Sequence, residues 1–104
     1  MNRNPTLLLD LALSRVAGAG DADRAYAELR LYPGNSAGYF FVRQRAPGRW
    51  YWMDEAGADH ICRASQSEVD EAIEAGGARV QLTGNRGRSL GFWRTWGEFE
   101  TAVD

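Results

Sequence analysis

The single histidine and the single cysteine of this chain stand two positions apart, at His60 and Cys62. In a strand both side chains would point to the same face, and an imidazole that takes the thiol proton makes a cysteine nucleophile. Neighbours along one strand seldom have the geometry for that transfer, and no third group that would orient the imidazole is identifiable. We therefore expect Cys62 to be a buried residue of a short strand and assign no catalytic residue. Two such ligands are also too few for a structural zinc site, so no metal or cofactor is expected.

A second candidate is the loop Gly84-Asn85-Arg86-Gly87-Arg88. The arginine side chains and exposed backbone amides of such a loop can hold a phosphate, with Arg86 and Arg88 as the contacts. The same composition is typical of a solvated hairpin loop, and both interpretations stay open. The chain has no Walker loop, dinucleotide-binding fingerprint or nucleophile elbow.

The third candidate is an aromatic β-hairpin, whose predicted strands 39–45 and 49–54 flank a turn at Ala46-Pro47-Gly48. With Pro47 and Gly48 at the tip of a four-residue loop, Arg45 faces Trp50 and Arg43 faces Trp52. A two-residue loop would give the same register, but Pro-Gly suits a two-residue hairpin poorly, so the four-residue loop is the preferred version of it. This register creates a binding face on which arginines lie over tryptophans. Such a face suits either base stacking or a protein hot spot.

Two alternatives to this register remain. A three-residue loop shifts the pairing by one residue and moves Trp50 and Trp52 into the core beside Phe40 and Val42. That register leaves Tyr51 outside, next to Phe41. Alternatively, helices cover both faces of the sheet and all the aromatic residues belong to the core.

Helices and strands must position these residues. Ser65 and Glu68 form a capping-box pair that predicts a helix near 66–75, whose outer face carries Glu68 and Glu71. A second such pair, Thr95 and Glu98, predicts a short C-terminal helix. A leucine-rich helix begins near Pro5, and its broad apolar surface would be buried on two sides or would form a homodimer contact.

The remaining segments alternate between apolar and polar residues. Residues 21–32 read as a helical or irregular start that passes into a strand near Ala27, and residues 78–83 and 60–62 read as further strands. The sequence therefore predicts one α+β domain over residues 1–104. Its antiparallel sheet would have four or five strands, accompanied by an N-terminal helix, the helix near 66–75 and a short C-terminal helix.

Composition narrows the function classes. The 104 residues are 44% hydrophobic with a formal net charge of −2, so no global field attracts nucleic acid. The twelve basic residues are all arginine, which reflects either genome composition or selection for bidentate contacts. One cysteine excludes an internal disulfide and favours the cytoplasm. The apolar stretch Leu7–Leu13 is too short to span a membrane.

The runs Gly48–Gly57 and Ser65–Ile73 are similar to a pattern of small phage- and plasmid-encoded proteins, in which a strand, an acidic turn and a helix pack together. Some of these proteins inhibit host defence, including anti-CRISPR proteins. The resemblance implies a binding protein from a mobile element and carries no catalytic residue.

We expect a non-enzymatic protein that acts through protein–protein contacts, for example as an inhibitor of a host nucleoprotein complex of the CRISPR type. The alternative is a nucleic-acid-binding accessory protein or regulator that uses the arginine–tryptophan face, and a third hypothesis is an enzyme using Cys62. The predicted partner-binding residues are Arg43, Arg45, Trp50, Trp52, Glu68, Glu71, Arg86 and Arg88.

Overall fold

The computed structural model describes residues 5–15, 20–34, 37–46, 48–54 and 61–103. Four α-helices lie in these segments: α1 (Pro5–Arg15), α2 (Asp21–Ala25), α3 (Gln66–Glu74) and α4 (Trp96–Val103). The strands are β1 (Glu28–Tyr32), β2 (Tyr39–Arg43), β3 (Trp50–Met53), β4 (Cys62–Ala64), β5 (Arg79–Thr83) and β6 (Ser89–Trp93), and a 3₁₀ turn, Asn85–Gly87, joins the last two. The α+β class is confirmed, and the described strands number six rather than four or five.

All six strands form one antiparallel sheet in the order β4-β3-β2-β1-β5-β6. The first strand of the chain is central because β1 pairs with β2 on one side and with β5 on the other. The start of β1 pairs with the end of β2 and with the end of β5. The loop between β5 and β6 therefore lies close to the connection of the hairpin formed by β2 and β3. The sheet order thus decides which distant loops become neighbours.

One face of the sheet forms the hydrophobic core. Alternate strand residues such as Leu29, Val42 and Val80 are fully buried there. The buried apolar residues of α1, α3 and α4 belong to the same core: Leu9, Ala12, Leu13, Val69, Phe99 and Val103. None of these buried helix residues lies on the opposite face, which we call the open face. The expectation that helices cover both faces is therefore wrong for the described helices.

The hairpin register differs from the one expected for a four-residue loop. Val42 pairs with Trp50 and Phe41 pairs with Tyr51, so Trp50 is 2% exposed in the core and does not face an arginine. The side chains lie on the two faces of the hairpin as expected for a three-residue loop, although the connection between β2 and β3 is longer than three residues. Strand β2 ends at Arg43, and two turns follow, in which Ala46 N–H donates to the Arg43 carbonyl at 3.1 Å and Arg49 N–H donates to the Ala46 carbonyl at 3.2 Å. Burial of two indole rings against the helices outweighs the local turn preference.

The predicted helix starts are confirmed. The Ser65 hydroxyl accepts from Glu68 N–H at 3.2 Å at the start of α3, and the Thr95 hydroxyl accepts from Glu98 N–H at 3.1 Å at the start of α4. The Glu98 carboxylate accepts in turn from Arg94 N–H at 3.1 Å. These bonds satisfy donors that the first turn of a helix leaves free.

The N-terminal helix is part of the core. Its described apolar residues Leu9, Ala12 and Leu13 are buried, and Leu11 is half-buried against the same cluster. Homodimerisation through this helix stays a prediction.

The short helix α2 followed by β1 confirms the predicted change from helix to strand near Ala27. In the described part of the chain, none of the helices has the length and apolar composition needed to cross a membrane.

Candidate binding face and arginine pocket

A row of side chains crosses the whole open face, one from each strand. Strand pairing places them side by side in the order Arg63, Tyr51, Phe41, Arg30, Gln81 and Phe92. Neighbouring rows add Tyr39 and Tyr32, which flank Phe41 and Arg30 along the strands. The open face is therefore built from aromatic rings and guanidinium groups.

The rings form a continuous strip. Ring centroids are 5.0 Å apart for Tyr32 and Tyr39, 5.9 Å apart for Tyr39 and Phe41, and 5.5 Å apart for Phe41 and Tyr51. The Tyr39 hydroxyl donates to the thioether sulfur of Met53 at 3.2 Å. Separations of 4.5–7 Å are those at which aromatic pairs attract each other, so the strip is packed rather than loose.

Arginines cover this strip, each over one ring. Arg30 lies 4.8 Å from the centroid of Tyr39 and Arg43 lies 5.0 Å from that of Phe41. At the two ends, Arg79 lies 5.7 Å from the centroid of Tyr32 and Arg63 lies 6.0 Å from that of Tyr51. Each contact is within the range of a cation–π interaction, worth about 0.5–1 kcal/mol at an exposed site.

One carboxylate organises the two central arginines. Glu28 Oε2 accepts from Arg30 Nε at 3.1 Å, and Glu28 Oε1 accepts from Arg43 Nε at 3.0 Å. Arg30 also donates to the Tyr32 hydroxyl at 3.4 Å, and that hydroxyl donates to Gln81 Oε1 at 3.1 Å. Among the described residues, the open face carries four arginines (residues 30, 43, 63 and 79) and one glutamate, an excess of three positive charges, although the whole chain is acidic.

Two pKa values on this face depart from their ordinary values. Burial alone would lower the pKa of Arg30, but the Tyr32 hydrogen bond and the nearby Tyr39 and Glu28 raise it overall. Burial raises the pKa of Tyr39, and although Arg30 acts in the opposite sense the value stays above the ordinary one. Both groups therefore keep their usual protonation states at neutral pH.

At one end of the open face lies a cavity of about 260 Å³, which we call the arginine pocket. Its charged lining residues are Glu28, Arg30, Arg43, Arg45 and Arg86, and Thr83 contributes to its wall. Arg45 extends from the hairpin connection and lies 4.2 Å from the ring centroid of Tyr26, which also lines the pocket.

Asp23 holds the Gly84–Arg88 loop beside this pocket. Its carboxylate accepts from Asn85 N–H at 3.0 Å and pairs with Arg88 Nη1 at 3.3 Å. The amides of Gly84, Gly87 and Arg88 donate to carbonyls within the same loop. The expectation that these amides are exposed for a phosphate is therefore wrong for four of the five residues, because their hydrogens are already used.

A second cavity, of about 510 Å³, lies on the helix side of the sheet. Phe40 and Trp52 contribute apolar surface to it, Glu68 and Glu71 line it from α3, and Cys62 lies beside them.

Cys62 is exposed on the edge strand β4, so the expectation of a buried cysteine is wrong. Among the described strands, β4 is only three residues long and has a neighbour, β3, on one side alone. His60 lies outside the described residues, and so does most of the acidic turn.

The structure sorts the predicted partner-binding residues into separate places. It brings Arg43, Arg45 and Arg86 together around the arginine pocket, whereas Arg88 is turned to Asp23. Trp52, Glu68 and Glu71 share the helix-side cavity. Trp50 is in the core and contacts no solvent.

Sequence reasoning did not select Arg30, Arg63 and Arg79, which complete the open face. For Arg30, the sequence did contain a signal, since Glu28, Arg30 and Tyr32 alternate with the buried leucines of β1. The described residues contain no group of three histidine, cysteine or acidic side chains that could hold a metal ion. Comparisons with protein-family models, with curated proteins and with solved structures gave no match.

Proposed function

We propose that this protein is a non-enzymatic binding protein whose open face docks on an acidic surface of a protein partner. The observation that carries the proposal is the packing of Arg30, Arg43, Arg63 and Arg79 over a continuous strip of four aromatic rings. This layer lies on the side of the sheet that the buried helix residues leave uncovered.

The composition of the open face is that of a protein interface. Arginine and tyrosine are enriched in binding hot spots, where planar side chains bury large areas with little loss of conformational freedom. Here the contacts with Tyr39 and Glu28 already hold Arg30 in place, so ordering it on binding costs less than for a free side chain. The excess of positive charge favours a partner surface that presents carboxylates.

The arrangement supports a protein partner better than a stacked nucleic acid. Bases stack on the faces of exposed rings, but guanidinium groups cover the rings of Tyr39, Phe41 and Tyr51. A base would first have to displace an arginine. The inhibitor of a host nucleoprotein complex that the resemblance implies is one form of this proposal, with the protein component of such a complex as the partner in the cytoplasm.

The test compares two charge reversals that change the net charge equally. Arg63→Glu alters the open face, whereas Arg24→Glu alters the exposed surface of α2. A protein retained from host lysate by the wild-type chain is identified, and its affinity for both variants is measured by isothermal titration calorimetry.

We expect Arg63→Glu to weaken the affinity at least tenfold, which corresponds to about 1.4 kcal/mol, and Arg24→Glu to leave it within a factor of two. Equal affinities of the two variants would contradict docking through the open face. Tight, steeply salt-dependent binding of single-stranded oligonucleotides, with no protein retained, would instead establish the nucleic-acid alternative.

A further inference from the structure

We propose that the arginine pocket is a binding site for a phosphate group, presented as a phosphomonoester dianion, and that it acts independently of docking through the open face. The pocket is distinct from the aromatic strip, because its lining includes Arg45, Arg86 and Thr83 and none of the four rings of the strip. Arg30, Arg43 and the carboxylate of Glu28 that joins them belong both to the pocket and to the open face.

The charge of the pocket suits a dianion. Four guanidinium groups and one carboxylate line it, which leaves an excess of three positive charges. Both oxygens of Glu28 are occupied, Oε1 by Arg43 and Oε2 by Arg30, and each of these arginines keeps further N–H donors. Among the described residues, Arg45 and Arg86 have no acidic partner, so their charge is available to a ligand.

Thr83 supplies an independent sign of a missing partner. Thr83 is 1% exposed, and its hydroxyl has no hydrogen-bond partner among the described residues. Buried hydroxyl groups in folded proteins are nearly always hydrogen-bonded, because an unpaired one loses its contacts with water without replacement. Thr83 is one of the residues that line the pocket, so a hydroxyl that turns towards the cavity on binding would donate to a phosphate oxygen.

Arg86 and Gly87 stand at the centre of the turn between β5 and β6, with φ values of 59° and 73°. Two adjacent residues with positive φ are typical of a tight β-hairpin turn. This turn places Arg86 in the lining of the pocket.

Geometry favours a phosphate over a carboxylate. The donors approach from three elements, namely the central strands, the hairpin connection and the 3₁₀ turn, so they surround a tetrahedral group better than a planar one. The cavity, about 260 Å³, is smaller than the roughly 300–1,000 Å³ of sites that enclose a whole drug-sized ligand. The pocket therefore holds the phosphate group while the rest of the ligand lies outside.

The test is a titration of the ¹⁵N-labelled full chain with inorganic phosphate, followed by NMR of the Thr83 amide and of the arginine Nε–H groups. Chloride at equal ionic strength is the control for screening, and acetate is the control for a planar anion. O-phosphoserine and adenosine monophosphate then distinguish an amino-acid source of the phosphate from a nucleotide source.

We expect saturable shifts at Thr83, Arg45 and Arg86 with phosphate and none with chloride or acetate. Arg86→Gly removes the side chain and relieves the left-handed strain, so its midpoint of thermal unfolding should stay near that of the wild type while phosphate affinity falls at least tenfold. Arg45→Gln should weaken binding similarly, and Arg24→Gln should not.

Equal shifts with phosphate and chloride would overturn the proposal. So would unchanged phosphate affinity in both Arg86→Gly and Arg45→Gln. Arg63→Glu separates this site from the open-face docking, because it should reduce partner binding and leave phosphate affinity within a factor of two.

Discussion

Phe41 and Tyr51 stand opposite each other on β2 and β3, with stacked rings whose centroids are 5.5 Å apart at an interplanar angle of 26°. Phe41 is 1% exposed, although it lies on the open face and outside the main core cluster. The guanidinium group of Arg43, 5.0 Å from its ring centroid, helps to cover it. The open face thus contains a small second core under charged side chains, as expected when arginine stems lie along apolar surface.

Truncation of Phe41 should therefore cost as much as truncation of a core residue. We expect Phe41→Ala to lower the free energy of unfolding by about 3–5 kcal/mol, since the lost burial and the cavity both contribute. Phe92→Ala is the matched control on the same face, because Phe92 is 54% exposed and should change the value by about 0.5 kcal/mol or less. Urea unfolding measures both, and a cost below about 1 kcal/mol for Phe41→Ala would show that the strip is not packed.

Two glycines should respond to alanine in opposite directions. A Cβ at Gly38 would collide with the Met53 carbonyl oxygen, so Gly38→Ala must displace backbone next to β3 and destabilise the hairpin. Gly97 lies in α4, and a Cβ there would meet only Thr95 Oγ1 at 3.8 Å. Gly97→Ala should stabilise the protein by about 0.5–1 kcal/mol through helix propensity. Thermal unfolding measures both, and a stabilising Gly38→Ala would contradict the close approach of the two strands.

The difference between local and long-range information explains what the sequence could predict. The starts of α3 and α4 were predictable because each cap joins residues three apart, as Ser65 and Glu68 do. The pairing of Val42 with Trp50 was not predictable from the turn, because it depends on which face of the sheet packs against distant helices.

The same limit applies to the sites. Arg45 and Arg86 were both selected, but their common pocket follows from a sheet order in which β1 lies between β2 and β5. The sequence did not identify Arg63 as a site residue. Its position beside Tyr51 depends on the hairpin register and on the pairing of β3 with β4. Residue types therefore indicated the chemistry, whereas the topology determined which residues share a site.

The raised pKa of Tyr39 predicts how stability depends on alkaline pH. Burial raises this pKa above about 10, so the folded state holds the phenolic proton more tightly than the unfolded state does. The resulting stability is fully present below about pH 10 and is lost as the pH rises through the folded pKa.

Above about pH 10, the wild-type protein should therefore lose stability more steeply than Tyr39→Phe, which has no proton to release. Urea midpoints across this range measure the difference, and ultraviolet absorbance of tyrosinate locates the titration. Parallel slopes for the two proteins would show that Tyr39 ionises as easily when folded as when unfolded.

Asp23 provides the last prediction, because its two roles can be separated. The Asp23 side chain is 10% exposed, and its carboxylate accepts from Asn85 N–H at 3.0 Å and pairs with Arg88, whose side chain is 66% exposed. Asp23→Asn keeps an oxygen that can accept from Asn85 and loses only an exposed ion pair, worth at most about 1 kcal/mol. Asp23→Ala leaves the part-buried Asn85 amide unpaired and should cost about 1–3 kcal/mol. We therefore expect Asp23→Ala to destabilise the protein more than either Asp23→Asn or Arg88→Ala, and to speed hydrogen exchange at the amides of residues 84–88. Equal losses for Asp23→Asn and Asp23→Ala would show instead that charge, and not the acceptor, holds this loop against the arginine pocket.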